Sequence, residues 1–277
     1  MAEPERLRAI VDGTKFEIIP RIIHQTWKDR DVPEQWRDYQ ASWTRHNPKW
    51  EYRLWSDADN RHLIAERYAW FLPTYDAFPR AIQRVDAAKY FILYTFGGVY
   101  ADLDCECLQS IDRIVAGGGA VVGRSADRVI ECAFMASSAG HGLWRKTFNA
   151  MQHPSVVARL LHGLPRIIGA AGFDAAHVLF HTGPQMVGSA VRLHRAELDR
   201  AGGDGITELD SRYFSHRSWW RRYEPHGNQD GFIRHHYANS WLEAREARFV
   251  GRFTARAVCL GVLAAAFGLA IIGMVES

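Results

Sequence analysis

An open α/β fold is predicted for this chain of 277 residues, on three observations. Short apolar strands alternate with helical stretches from the start of the reading frame onward, the pattern of a sheet covered by helices. Hydrophobic residues make up 47% and charged residues 23%, which suits one packed domain with appendages. The run Gly97-Gly98-Val99-Tyr100-Ala101-Asp102-Leu103-Asp104 reads as a turn, a short buried strand and an acidic pair.

Taken in order, Ile18 to Trp27 reads as the first core strand and its exit loop. Residues 33–46 have helical spacing and stop at Asn47-Pro48. Glu51 to Trp55 alternates as a second strand, and either Ser56 or Asp57 caps the helix that follows. Residues 80–94 are helical again: Ile82, Val85 and Ile92 fall near one face, while Asp86 and Lys89, three apart, share another. The acidic strand comes next. Ala120–Gly123 and Cys132–Met135 are further short strands, and residues 141–152 are helical. Gly183-Pro184 opens a helix near 184–194. Residues 202–205 form a turn, and 212–231, rich in aromatic, Arg and Gly residues, form an irregular loop near the site. The sequence shows no internal repeat.

Composition narrows the function. A net charge of +3, spread along the chain, argues against nucleic acid as a partner. Ten Trp residues serve cores, sugar faces and membrane interfaces alike. Of the four Cys, Cys105 and Cys107 lack the further Cys or His spacing that zinc needs, so reduced, partly buried thiols of a cytosolic compartment are expected.

Asp102 and Asp104 carry the chemistry. Two apart on a strand, their carboxylates project from the same side. Two such groups repel, and burying them unpaired is costly. A divalent cation resolves the conflict: Mn²⁺ or Mg²⁺ prefers oxygen ligands and keeps positions open for phosphate oxygens. A bare D-x-D is also common on surfaces, and Asp86 with Lys89 reads equally as a surface pair until its neighbours are considered.

The order helix with Asp86 and Lys89, Gly-Gly turn, strand, D-x-D resembles glycosyltransferase family 32, the yeast mannosyltransferases and inositol-phosphorylceramide mannosyltransferases with a D-x-D sugar-binding region. More distantly it is similar to the glucosylating clostridial toxins. The resemblance spans residues 18–242. It implies a GT-A-like nucleotide-sugar fold, with an open, mostly parallel sheet and flanking helices. It also implies a metal-dependent, retaining transferase that makes an α-linked product. By that likeness Asp104 binds Mn²⁺ (or Mg²⁺) directly, Asp102 supports it, and Asp86 with Asp102 and Asp104 forms the catalytic set. The donor pocket takes in Trp27, Arg84, Asp86, Lys89, Gly98, Tyr100, Asp102 and Gly183.

The segment His235-His-Tyr-Ala-Asn-Ser-Trp241 resembles the family's H-x-x-x-x-S-W pattern, so His235, with His236 as alternative, reaches back to the metal. Trp27, ending Ile22-Ile-His-Gln-Thr-Trp, stacks a nucleotide base by the same likeness or is a core Trp. His24 reads as a satisfied core His. Arg21 and Arg84 either meet diphosphate or pair on the surface. Thr182-Gly183-Pro184 matches a motif lining the donor pocket. Two departures stand out: Lys89 replaces a common Arg, and Glu131-Cys132 replaces a region commonly holding Asn.

The donor expected is GDP-mannose first, with UDP-linked sugars next, and the acceptor is a lipid-linked molecule or a glycan. Rival readings are a haloacid-dehalogenase-like phosphatase, a glycoside hydrolase, and a non-catalytic, membrane-tethered sugar-binding module. The phosphatase would place its D-x-D on the first core strand. The hydrolase would set its carboxylates across a sugar without a diphosphate-linked metal.

Residues 257–275 form a 19-residue run without a charge, long enough as a helix (~28 Å) to cross a bilayer. Arg245, Arg248, Arg252 and Arg256 precede it as a basic stripe, which favours a cytosolic face. The expected organisation is an extension over 1–17 without a secretory h-region, a catalytic domain over 18–242, a basic juxtamembrane helix over 243–256 and a single-pass C-terminal anchor over 257–275. The catalytic domain is expected in the cytosol at a membrane.

Overall fold

The structure, a computed structural model, describes residues 18–125, 128–161, 172–201, 205–214, 231–238 and 240, without the side chains of 172–174 and 200–201. Its first half follows the expected alternation: β1 (Ile22–Thr26), α1 (Glu34–His46), β2 (Glu51–Trp55), α2 (Asp57–Arg67), α3 (Leu72–Asp76) and α4 (Ala81–Phe96). Ser56, not Asp57, caps α2. Its hydroxyl accepts the Asp59 N–H while the Asp59 carboxylate accepts the Ser56 N–H, a capping box. β3 (Gly98–Ala101), β4 (Cys105–Cys107), α5 (Asp112–Val115), β5 (Ala120–Arg124) and β6 (Ile130–Ser137) follow. The second half adds α6 (Gly142–Gln152), α7 (Gly172–His181), α8 (Pro184–Ala201), β7 (Ile206–Leu209), α9 (Ser211–Phe214) and β8 (Ile233–His235).

The main sheet has the order β2-β1-β3-β6-β5-β7, and β4 with β8 makes a second, two-stranded sheet. β1–β2, β1–β3 and β5–β7 pair in parallel, whereas β3–β6 and β5–β6 are antiparallel. The sheet is therefore mostly parallel, as expected, with β6 alone running against the other five strands. The cause lies between Arg124 and Ile130: that connection is too short for a crossover and can only return the chain antiparallel.

Both faces of the main sheet are covered. On one side α4, α6 and α8 bury Phe91, Trp144 and Val187 against Tyr100 and Met135. On the other, Trp43 of α1, the β4–β8 ribbon and Phe214 pack on Val99, Ala101 and Phe134. Successive residues of β3 thus feed opposite cores, as strand alternation requires. A sheet buried on both faces leaves function to its edges, and here to the ends of β1 and β3.

The turn before β3 is where glycine is needed. Gly97 ends α4 at φ 63° and Gly98 starts β3 at φ 92°. A Cβ on Gly98 would stand 2.4 Å from the Ile22 carbonyl oxygen. Gly98 thus lets β3 lie close against β1. It sits at the end of β3 away from Asp102, so its expected place in the donor pocket is corrected to one in strand packing.

A second correction concerns the acidic pair. β3 ends at Ala101, and the Cys105 N–H closes a turn onto the Asp102 carbonyl at 3.0 Å. Asp102 and Asp104 are therefore turn residues beyond the strand. The turn, and not strand alternation, brings them together. Among the described residues no helix is long and apolar enough to cross a membrane. The expected anchor over 257–275, the basic stretch over 243–256 and the extension over 1–17 all lie outside those residues, as do most of the 202–205 turn and the 212–231 loop.

Candidate active site

A cleft of about 340 Å³ opens beyond the C-terminal ends of β1 and β3, and Asp86, Lys89, Asp102, Asp104, Glu131, Gly183 and His235 all line it. Residues from five separate stretches of the chain meet there, in the place where open α/β sheets bind ligands.

Asp86 and Lys89 hold its wall. The Lys89 ammonium lies 2.7 Å from Asp86 Oδ1 and 3.9 Å from Asp102 Oδ1, and both side chains of the first pair are nearly sealed, at 2% and 5% exposure. This is no surface pair. Burial works against the Lys89 charge, but Asp102 and Asp86 overcome it and raise the ammonium well above its ordinary value. The second Asp86 oxygen accepts the Thr182 hydroxyl at 2.9 Å. Thr182 is fixed in turn by Tyr90, whose hydroxyl donates to the Thr182 carbonyl at 2.6 Å. The Thr182-Gly183-Pro184 segment therefore reaches the site by orienting Asp86, a bond that no spacing in the sequence announces.

Asp102 is held from below. The Tyr100 hydroxyl donates to its Oδ1 at 2.9 Å and lies 2.8 Å from Thr26 Oγ1. The Gln25 amide donates to its carbonyl at 3.1 Å. Burial pushes its carboxyl up to about 6, with Lys89 pulling it down and Asp104 pushing it further up. Tyr100, expected in the donor pocket, is fully buried beneath it and supports Asp102 from inside the core.

Asp104 faces the ribbon of β4 and β8. Cys105 pairs with His235 there, which sets His235 Nε2 3.4 Å from Asp104 Oδ2. The same oxygen accepts the Ala238 N–H at 2.9 Å. Burial opposes the Asp104 charge, yet His235 and these hydrogen bonds hold its carboxyl below the usual range. Reciprocally, burial is overridden at His235 and Asp104 raises the imidazole. His236 points elsewhere: it stacks on Tyr39 at 4.1 Å, and its Nε2 lies 3.1 Å from Glu106 Oε2. Of the two histidines, His235 is the one that meets Asp104.

These groups suit a hard or borderline divalent cation. Asp104, Cys105 and His235 each bring a ligand atom within 4.8 Å of the others. Cys105 is the odd member. Burial raises its thiol well above the ordinary value, and it donates to the Ala133 carbonyl at 3.6 Å. It stays a protonated, soft group, so carboxylate and imidazole remain as the donor set, a chemistry suited to Mn²⁺.

The other expected site residues separate. Trp27 lines the cleft and packs with Val32, Trp36 and Leu103. Arg84 is tied to the Phe78 carbonyl at 2.7 Å and is not among the lining residues. Arg21 pairs with Asp112 at 3.5 Å, at the opposite end of β1 from Trp27. His24 is a core residue: its ring lies 3.0 Å from the Gly97 carbonyl and accepts the Trp55 indole N–H at 3.1 Å. Glu131, Cys132 and Ala133 are successive residues of β6, yet all line the cleft. The register between β5 and β6 shifts at Val122/Gly123, a bulge that breaks strict alternation there. Asp57 and Trp36 also line the cleft, and nothing in the sequence singled them out for it.

Residues 33–118, which carry α4, β3 and the acidic turn, match the family described as the glycosyltransferase sugar-binding region containing DXD motif. That match takes in about a third of the chain. The chain is 34% identical over 230 residues to "Inositol phosphoceramide mannosyltransferase 3" of Schizosaccharomyces pombe, covering 79% of this chain and 60% of that protein. It is 46% identical over 110 residues to "Inositol phosphoceramide mannosyltransferase 2" of the same yeast, covering 40% of this chain and 32% of that one. The match to "Mannosyl phosphorylinositol ceramide synthase SUR1" of Saccharomyces cerevisiae is 35% over 139 residues, or 50% and 36% of the two chains. The chain thus spans 32% to 60% of these relatives' length. Among solved structures, the PaToxG glycosyltransferase overlaps 67% of this chain and 73% of its own at 14% identity and a TM-score of 0.45.

Proposed function

We propose that this chain has a GT-A-like fold and is a metal-dependent, retaining hexosyltransferase. It would move mannose from a nucleotide sugar, GDP-linked first and UDP-linked next, to a lipid-linked acceptor or a glycan. The names of its relatives point to inositol phosphoceramide as the lipid. The observation that carries the reading is the cleft itself. A sealed Asp86–Lys89 pair stands across from an Asp104–His235 pair, with Asp102 between them.

Each part has a task in that chemistry. Asp86, locked by Lys89 and Thr182, offers a fixed acceptor for sugar hydroxyls. A donor so oriented gains effective molarity at its anomeric carbon. Asp104 and His235 would hold Mn²⁺ or Mg²⁺, with Asp102 supporting through water or the ribose. When bound, such an ion supplies Lewis acidity to a departing diphosphate. Lys89 keeps the three carboxylates compatible in one small space. Trp27 offers an aromatic face to the base. The apolar run at 257–275 would hold the domain at a bilayer, next to a lipid acceptor.

Transfer and hydrolysis of GDP-mannose, measured with and without Mn²⁺, test the reading. Asp104→Asn should lower turnover at least ~100-fold while the circular dichroism spectrum is kept. Wild-type rates in excess EDTA would refute the metal role. Release of phosphate from simple monoesters, with GDP-mannose untouched, would favour a phosphatase.

A further inference from the structure

We infer that Asp57 reads the base of the donor nucleotide and selects guanine. This rests on the nucleotide-sugar reading above and deepens it by naming the residue that chooses the nucleotide. Two backbone hydrogen bonds set the stage. The Trp27 N–H donates to the Trp55 carbonyl at 2.9 Å, and the Asp57 N–H donates to the Lys28 carbonyl at 3.2 Å. They lock the exit of β1 against the start of α2, so the Trp27 ring and the Asp57 carboxylate line one cleft. Trp27 and Trp36, packed with Leu103, give that part an apolar wall on which a flat base can lie.

The Asp57 carboxylate is not spent on structure. The first turn of α2 is capped by Ser56 and Asp59 instead. Among the described residues no hydrogen bond or ion pair reaches the Asp57 carboxylate. Arg84, the cation that acts on it, is tied to the Phe78 carbonyl, and Asp29 adds a like charge. Partial burial at the cleft rim raises its carboxyl, with Arg84 opposing. Asp57 is exposed on the rim of this cleft, where water solvates its carboxylate, and a base that brings matched donors can take the place of that water.

The chemistry of that ligand follows from the acceptor. Two carboxylate oxygens match two parallel N–H groups. Guanine presents such a pair on one edge, N1–H beside the 2-amino group. Uracil presents a single N–H between two carbonyls, whose lone pairs would face the carboxylate. A bidentate pair of this kind separates bases by roughly 10- to 100-fold.

Titrations of the full chain in detergent with Mn²⁺, read by intrinsic Trp fluorescence, test the assignment with GDP, UDP, inosine diphosphate and xanthosine diphosphate. Wild type should bind GDP at least ~10-fold tighter than UDP. It should lose a similar factor on inosine diphosphate, which lacks only the 2-amino group. Asp57→Asn should weaken GDP by roughly 10- to 100-fold and gain affinity for xanthosine diphosphate, whose 2-carbonyl accepts from the new amide. A purely structural role at the start of α2 would shift the melting temperature without changing base preference. UDP bound as tightly as GDP, or equal losses of GDP and UDP in Asp57→Asn, would overturn the assignment and leave the transferase reading standing. A wild type that binds no nucleoside diphosphate would overturn both. If Asp57→Asn fails to fold, the inosine arm on wild type decides alone.

Discussion

Lys89 holds a nearly sealed charge, and its removal should be felt in stability before it is felt in activity. Replacing it by Met would leave Asp86 and Asp102 facing each other without a cation, and breaking a buried pair from one side costs ~3–5 kcal/mol. Urea denaturation of Lys89→Met should show a loss of that size; a loss under about 1 kcal/mol would mean that water already screens the pair. The histidines make a sharper contrast. His235→Ala should raise the Mn²⁺ concentration that half-saturates activity, whereas His236→Ala, which loses only Tyr39 stacking and Glu106, should not. A matching shift in both variants would contradict the assignment. At this scale much was legible. Asp86, Lys89, Asp102, Asp104 and His235, picked out by residue type and spacing, all line one cleft. Asp57, Trp36 and the Thr182 bond to Asp86 escaped notice, since each depends on where distant loops fall. Arg84 and Gly98 were misplaced for the converse reason: a motif neighbour need not face the motif's ligand.

Among the elements, β1 shows how a buried His ties a strand to its surroundings. His24 joins the Gly97 carbonyl to the Trp55 indole, and burial lowers its pKa to about 4. An unfolded His titrates near 6.5, so below that pH the unfolded chain binds a proton that the folded chain refuses. The stabilisation is present in full above about pH 6.5 and drains away as pH falls toward 4. It amounts to ~3 kcal/mol. Chemical denaturation at pH 7 and pH 4.5 should show this slope, and His24→Gln should flatten it; an unchanged slope in the variant would assign the effect to other groups. The strands and helices of the first half were readable because their apolar periods and caps are local. The direction of β6 was not, because it is set by the length of one connection. The true end of β3 was not either: Asp102 to Asp104 continue a strand-like pattern, and only the Cys105-to-Asp102 bond reveals the turn.

For the whole molecule, the α/β class was legible from alternation alone, while the order of the strands in the sheet needed long-range pairing that no window of sequence contains. The clearest test at this scale concerns the apolar run over 257–275. Carbonate extraction should leave the full-length protein in the pellet, and removing residues 257–277 should give a soluble domain that still hydrolyses donor. A full-length chain that stays in solution without detergent would remove the anchor, and with it the case for a lipid acceptor.

The β4–β8 ribbon has a consequence for the protein's birth. It pairs Cys105 with His235, some 130 positions later in the chain. At translation speeds of about 5–20 residues per second, the acidic turn leaves the ribosome roughly 6–26 s before its histidine partner. During that interval the Asp104 carboxylate waits without its imidazole partner, and the cleft closes its last wall only once synthesis has passed residue 235.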